Sequence, residues 1–155
     1  MASEFETQFI TAADKPALIA CSTPAWLEAA REALRTLGYK INGVSAHTDF
    51  HSRFSRVRYQ VVVIEDIFGA DRIEDNDSLR SLQNMPMGHR RHATIFLVGA
   101  AFPTLDSMEA FRHSVHAVIG ASEMPMLKQL IEKVVAESEL FLYNYREAHS
   151  RASRL

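Results

Sequence analysis

"YQVVVIEDIFG", Tyr59 to Gly69, decides how this chain folds. The run Val61, Val62, Val63, Ile64 is unbroken, as in a strand buried on both faces of a parallel sheet. The acids Glu65 and Asp66 follow directly, before Ile67. Carboxylates at the carboxyl end of such a strand stand where open α/β sheets place their ligands.

The flanking sequence supplies the rest of the sheet. "PALIACST", residues 16–23, predicts a first strand, and Thr23-Pro24 a helix start with a hydroxyl N-cap and Pro at the first helical position. The helix that follows carries Leu27, Ala30, Leu34 and Leu37 on one face and ends at Gly38. Residues 40–46 predict a second, weaker strand. Phe50, Phe54 and Val57 lie at helical spacing in "TDFHSRFSRVRY". After the central strand comes a polar stretch read as loop, then a short helix bearing Leu79, Leu82 and Met85 and stopped by Pro86. "TIFLVGA" (94–100) and "VHAVIGA" (115–121) are further strands, separated by a helix bearing Met108 and Phe111. A last helix presents Leu127, Ile131, Val134 and Val135. Short buried strands alternating with amphipathic helices imply a doubly wound parallel sheet. The expected topology is flavodoxin-like, order 2-1-3-4-5, with a crevice between the carboxyl ends of strands 1 and 3. Cys21, Ser22, Glu65 and Asp66 would line it. The expected organisation is an N-terminal segment (1–15), the α/β domain (16–137) and a C-terminal helical extension (138–155).

Composition bounds the function. With 155 residues the chain can build one domain with a substantial core, and its 47% apolar and 23% charged residues suit a globular protein. A net charge of −2 offers no global attraction to nucleic acid or membrane. No apolar run is long enough to span a bilayer. "MASEFETQFITAADK" has early acids and no apolar core, so no secretory leader is expected. The single Cys excludes an internal disulfide and fits a reducing cytoplasm.

The chain resembles the receiver domain of bacterial two-component response regulators. The resemblance runs from about residue 16 to 137 and rests on three stretches. "ALIACSTPAWLEAAREALRTLGY" resembles the family's first strand and helix, "YQVVVIEDIFG" its third strand and phosphoacceptor loop, and "SLRSLQNMPMGHRRHATIFLVGA" its third helix and fourth strand. In working receivers an acidic pair after strand 1 helps hold Mg²⁺, and an Asp after strand 3 accepts the phosphoryl group. A Thr or Ser follows strand 4 and a Lys-Pro follows strand 5. Transfer to a carboxylate needs charge neutralisation by the metal and the Lys. Here the acidic pair falls on Cys21 and Ser22, the hydroxyl on Val98 (or Gly99 with a one-residue shift), and the Lys on Gly120 or Ala121. Strand length puts Glu65 at the phosphoacceptor position, whereas matching "DIF" to the usual Asp-Ile-Met puts Asp66 there. Soft Cys and neutral Ser are poor ligands for Mg²⁺. The resemblance therefore implies a degenerate receiver, without metal, cofactor or catalytic residues.

Other constellations in the chain carry readings of their own. Cys21 precedes a helix N-terminus, where a thiolate is favoured, but no second Cys stands near and a buried small hydrophobe is the plainer reading. The pairs His47/His51, His89/His92 and His113/His116 have metal-like spacing without a local third ligand; His89 to His92 are expected in a loop. "HRRH" (89–92) and "RFSRVR" (53–58) are basic clusters able to meet phosphate or an acidic partner. Asp71, Glu74, Asp75 and Asp77 crowd the loop after the central strand and would repel a nucleotide, and no glycine-rich phosphate loop follows strand 1. In the extension, Phe141, Leu142, Tyr143 and Tyr145 do not share one face, and they stand near Arg146 and Arg151 as at interfaces. The expected function is that of a stand-alone cytoplasmic pseudo-receiver, signalling through a protein partner without phosphorylation, with a homodimer through the C-terminal helix as one expected contact. The alternatives are a small-molecule sensor using a roomy strand 1–strand 3 crevice, and a thiol enzyme on Cys21.

Overall fold

The computed structural model describes residues 9–154. Five parallel strands form one sheet in the order β2-β1-β3-β4-β5: β1 (Pro16–Ala20), β2 (Lys40–Gly43), β3 (Val61–Glu65), β4 (Thr94–Gly99) and β5 (Ala117–Gly120). The helices are α1 (Pro24–Thr36), α2 (His47–Arg56), α3 (Asp77–Asn84), α4 (Met87–Arg90), α5 (Ser107–Arg112) and α6 (Leu127–Ser153). Short 3₁₀ turns cover Ile73–Asp75 and Ala121–Met126. No described helix is long and apolar enough to cross a membrane.

Alternation along the strands builds two cores. Ala17, Ile19, Val61, Val63, Phe96 and Val98 meet α1 and α6 through Ala30, Leu34, Ile131 and Val134. Leu18, Ala20, Val62, Ile64, Ile95 and Leu97 meet α2 and α3 through Phe50, Phe54, Leu79 and Leu82. Every residue of β1, β3, β4 and β5 is buried, which is why these strands read as uninterrupted apolar runs. Gly38 ends α1 as expected. Its φ of +87° lets Tyr39 N–H reach Leu34 O and Gly38 N–H reach Arg35 O, a Schellman motif.

Several local expectations change. The strands are shorter than their apolar runs, β1 ending at Ala20 and β2 at Gly43. The segment read as loop at His89 holds the one-turn helix α4, and the polar stretch before α3 ends in a cap, Asn76, whose side chain accepts from Leu79 N–H. Met108 and Phe111 are not a core face: they are 73% and 82% exposed, because α5 turns Ala110 inward. Val115 and His116 precede β5 rather than open it. The N-terminal segment lies mostly outside the described residues. At the other end, α6 runs through residues 137 and 138 without a break.

Arg90, from "HRRH", is one cation of that cluster that turns inward and is buried. Its Nη1 donates to Leu82 O at 2.7 Å and its Nη2 to Ser114 O, tying the end of α3 to the turn before β5. Burial holds its guanidinium below the usual pKa, so the charge is retained at a cost that those two bonds offset. Arg90→Met leaves both carbonyls without this donor and should lower stability by about 2 kcal/mol. Arg90→Lys, able to reach one carbonyl, should recover part of the loss in urea melts.

Candidate functional site

The carboxyl ends of β1 and β3 bring together Cys21, Ser22, Glu65 and Asp66, as the strand order requires. What they do there differs from the expectation for a phosphoacceptor crevice. Glu65, the last residue of β3, is fully buried. Its Oε1 accepts from Ser22 N–H and Thr23 N–H, each at 2.8 Å, and its Oε2 accepts from Thr23 Oγ1 at 2.7 Å. The carboxylate thus caps the start of α1 from across the sheet, where the helix dipole favours a negative charge. Thr23 is the N-cap residue, but its hydroxyl bonds Glu65 and makes no cap of its own. Glu65 is not an unpaired carboxylate.

Asp66 is half-buried beside it. Its N–H donates to Val98 O and its Oδ1 accepts from Ile67 N–H at 2.9 Å. Burial above all, with the Glu65 charge, raises its carboxyl pKa against the pull of that N–H. The backbone under both acids is held by Asn76, fully buried, whose Nδ2 donates to Glu65 O and Asp66 O. Ser22 Oγ accepts from Gly69 N–H at 3.2 Å. Gly69 has φ +58°, and a Cβ there would lie 2.7 Å from His47 Nε2. His47 accepts Ser78 N–H at Nδ1 and meets Gly69 O through Nε2 at 3.2 Å, so Nε2 carries the proton. Cys21 is buried in the core beneath α1, and burial together with the Glu65 charge pushes its thiol pKa far up. A buried, protonated thiol is a poor nucleophile.

The other side of the crevice is filled. Val98 is buried and pairs with Glu65 across the ladder. A Cβ on Gly99 would lie 2.7 Å from both Asp66 Oδ2 and the Phe102 ring, and one on Gly120 would collide with Phe102 O. The loop from β4 therefore folds back over the ends of β4 and β5. It is pinned there by Leu105 N–H to Val118 O and by Thr104 Oγ1, which accepts from Gly120 N–H and donates to Glu123 Oε1. The roomy crevice expected from small residues is occupied by Phe102 and the Glu65 carboxylate. Asn76 and Phe102 escaped the sequence reading, and His47, marked there only by its spacing to His51, instead bonds Ser78 and Gly69. Asn76 before "DSL" carried a readable cap signal, whereas nothing local marked Phe102.

Magnesium does not fit these residues. Both Glu65 oxygens face hydrogen-bond donors, and Cys21 and Ser22 supply no hard anionic ligand. Among the described residues no group of three His, Cys, Asp or Glu could hold a metal ion. The histidine pairs are used singly: His51 meets Asp77 at 2.9 Å, His113 faces Glu109, and His116 Nδ1 accepts Ile95 N–H. Burial and the nearby Arg90 lower the His116 pKa to about 4.

In the C-terminal set, Phe141 (68%), Tyr143 (61%) and Tyr145 (47%) are exposed, joined by Leu140 (62%), which the sequence reading left out. Leu142 departs from that set: it is half-buried against the body.

No protein-family model matches the chain, and no curated protein sequence matches it significantly. Its structure matches solved receiver domains. One is a CheY-like response regulator receiver domain from Methanospirillum hungatei, at TM-score 0.62 and 15% identity, covering 82% of this chain and 98% of that one. Another is the receiver domain of sensor histidine kinase PA1611 from Pseudomonas aeruginosa, whose active-site cleft coordinates magnesium. It matches at TM-score 0.61 and 15% identity, covering 80% and 99%. A Thermotoga maritima response regulator matches at TM-score 0.60 and 11% identity, covering 79% and 98%. The fold is the CheY-like receiver fold with a long C-terminal helix.

Proposed function

We propose that this chain is a pseudo-receiver: a receiver-fold module of a bacterial two-component type pathway that signals by protein–protein contact, without phosphoryl transfer and without enzymatic activity. The observation that carries this reading is the Glu65 carboxylate, whose oxygens are both engaged by the start of α1. Under this reading Glu65 occupies the phosphoacceptor position as a permanent, helix-bound anion. An acyl phosphate cannot form on it without breaking the cap. Gly120, in place of the charge-neutralising Lys, sits under Phe102 where no longer side chain has room. The PA1611 receiver holds magnesium in its cleft, whereas the donors around Glu65 repel a cation. A protein rather than nucleic-acid partner accords with the net charge of −2 and the exposed aromatics of α6, and a cytoplasmic location with the single Cys.

Acetyl phosphate with Mg²⁺ should leave the intact mass unchanged. A base-labile phosphoryl adduct on Glu65 or Asp66 would sink the proposal. The crevice-sensor reading loses support from the placement of Phe102, and the thiol-enzyme reading from the burial of Cys21.

A further inference from the structure

The two basic clusters, far apart in sequence, converge at the opposite end of the sheet from Glu65. A cleft of about 400 Å³ opens there between α2 and the α3–α4 segment, beside the residues that lead into β3 and β4. Arg56 and Arg58 from the first cluster and His89 and His92 from the second stand around it. Phe54 and Met85 supply apolar wall. Among the described residues no carboxylate lines the cleft; Asp77 meets His51 at its rim, and Asp14 shares the adjoining hollow with Arg56, Arg58 and His92. Arg56 and Arg58 form no ion pair among the described residues.

His92 is the telling residue. Its ring stacks on Phe54, with centroids 5.4 Å apart, and both ring nitrogens are buried without a hydrogen-bond partner. Buried polar atoms in native proteins are almost always paired, and an exception calls for a cause such as a ligand. Burial, and after it the Arg58 charge, lower the His92 pKa. A volume of this size lies in the range of small-molecule sites, which join an apolar wall to a few convergent polar groups. Arginine forks match phosphate oxygens, and a flat ring can pack on Met85 and the exposed edge of Phe54.

We propose that this cleft binds a small organic phosphate carrying a planar ring, its phosphate held by Arg56 and Arg58 next to His92 and its ring laid against Met85 and the exposed edge of Phe54. This site is separate from the crevice at Glu65 and does not depend on how that crevice is read.

The test titrates phenyl phosphate, inorganic phosphate and phenol into ¹⁵N-labelled full chain, following the histidine ring signals by NMR. His92 should shift saturably with phenyl phosphate, about ten-fold more tightly than with inorganic phosphate. The exposed double variant Arg56→Ala/Arg58→Ala should keep its circular dichroism and weaken phenyl phosphate at least about ten-fold. Three results would each overturn the proposal: His92 signals unmoved at about 10 mM phenyl phosphate, an undiminished response in the folded double variant, or an equal response to phenol.

Discussion

Glu65→Ala should lower the stability of the domain by about 3 kcal/mol, among the largest effects of any single polar substitution in the chain. Three hydrogen bonds to an ionised group are lost together, and the Ser22 and Thr23 N–H groups at the start of α1 keep no protein acceptor. For a domain of this size that is a fall of roughly 10 °C in Tm. Glu65→Gln is a sharper probe. Its amide oxygen can keep both N–H donors, and its NH₂ can donate to Thr23 Oγ1, because a hydroxyl also accepts. Only the charge at the helix N-terminus is lost, worth about 0.5–1 kcal/mol. Asp66→Asn should behave oppositely. Its raised pKa means the folded state binds the proton more readily than the unfolded chain, so ionisation at neutral pH opposes folding. Removing that charge should hold or slightly raise the urea midpoint. Equal midpoints for Glu65→Ala and the parent chain would show that the cap contributes nothing.

The different roles of these neighbouring acids could not be read from "IEDIFG". The apolar run before Glu65 identified the strand, because residues buried on both faces leave no polar position to mislead the eye. Strand alternation then identified the sheet order, and with it the meeting of residues 21–22 with 65–66. The hydrogen bonds that turn Glu65 into a cap join residues 42 and 43 positions apart, and no local pattern encodes them. The same limit hid Phe102: small residues at Gly99 and Gly120 read as open space, when they are small because a loop lies on them. Met108 and Phe111 misled for a different reason. In a six-residue helix, apolar periodicity is too short to show which face is inward, and Ala110 took that place. The basic clusters were visible as charge, but their meeting around His92 depended on the sheet that separates them in sequence.

Removing α6 after Glu137 should abolish self-association while leaving the domain folded. The truncated chain keeps Leu127, Ile131 and Val134, the buried residues of this helix. Beyond them the body-facing stripe continues to Leu142, which is half-buried. With successive residues about 100° apart, Leu140 and Tyr143 lie on the side turned from that stripe, and Phe141 and Tyr145 lie along its flank. Phe141 lines a groove with Met87 and Arg91, and the Arg91 guanidinium lies 5.8 Å from the Tyr145 ring centroid. The flank pair is thus partly claimed by the chain's own surface, and the outward pair is free for another copy. Burying a large apolar side chain contributes roughly 1.5–3 kcal/mol. Two such residues from each of two copies contribute roughly 6–12 kcal/mol, against a cost of association of about 4–15 kcal/mol, so only a small surplus is expected. The expected dimer is therefore weak, with a Kd on the order of 10 μM to 1 mM. Sedimentation of the full chain across that range should show a concentration-dependent rise in mass. Both the truncation and Leu140→Ser/Tyr143→Ser, which leaves the helix in place, should sediment as monomers with unchanged circular dichroism. A full chain that stays monomeric throughout, together with a truncation that unfolds, would instead make the extension a brace for the body of the domain.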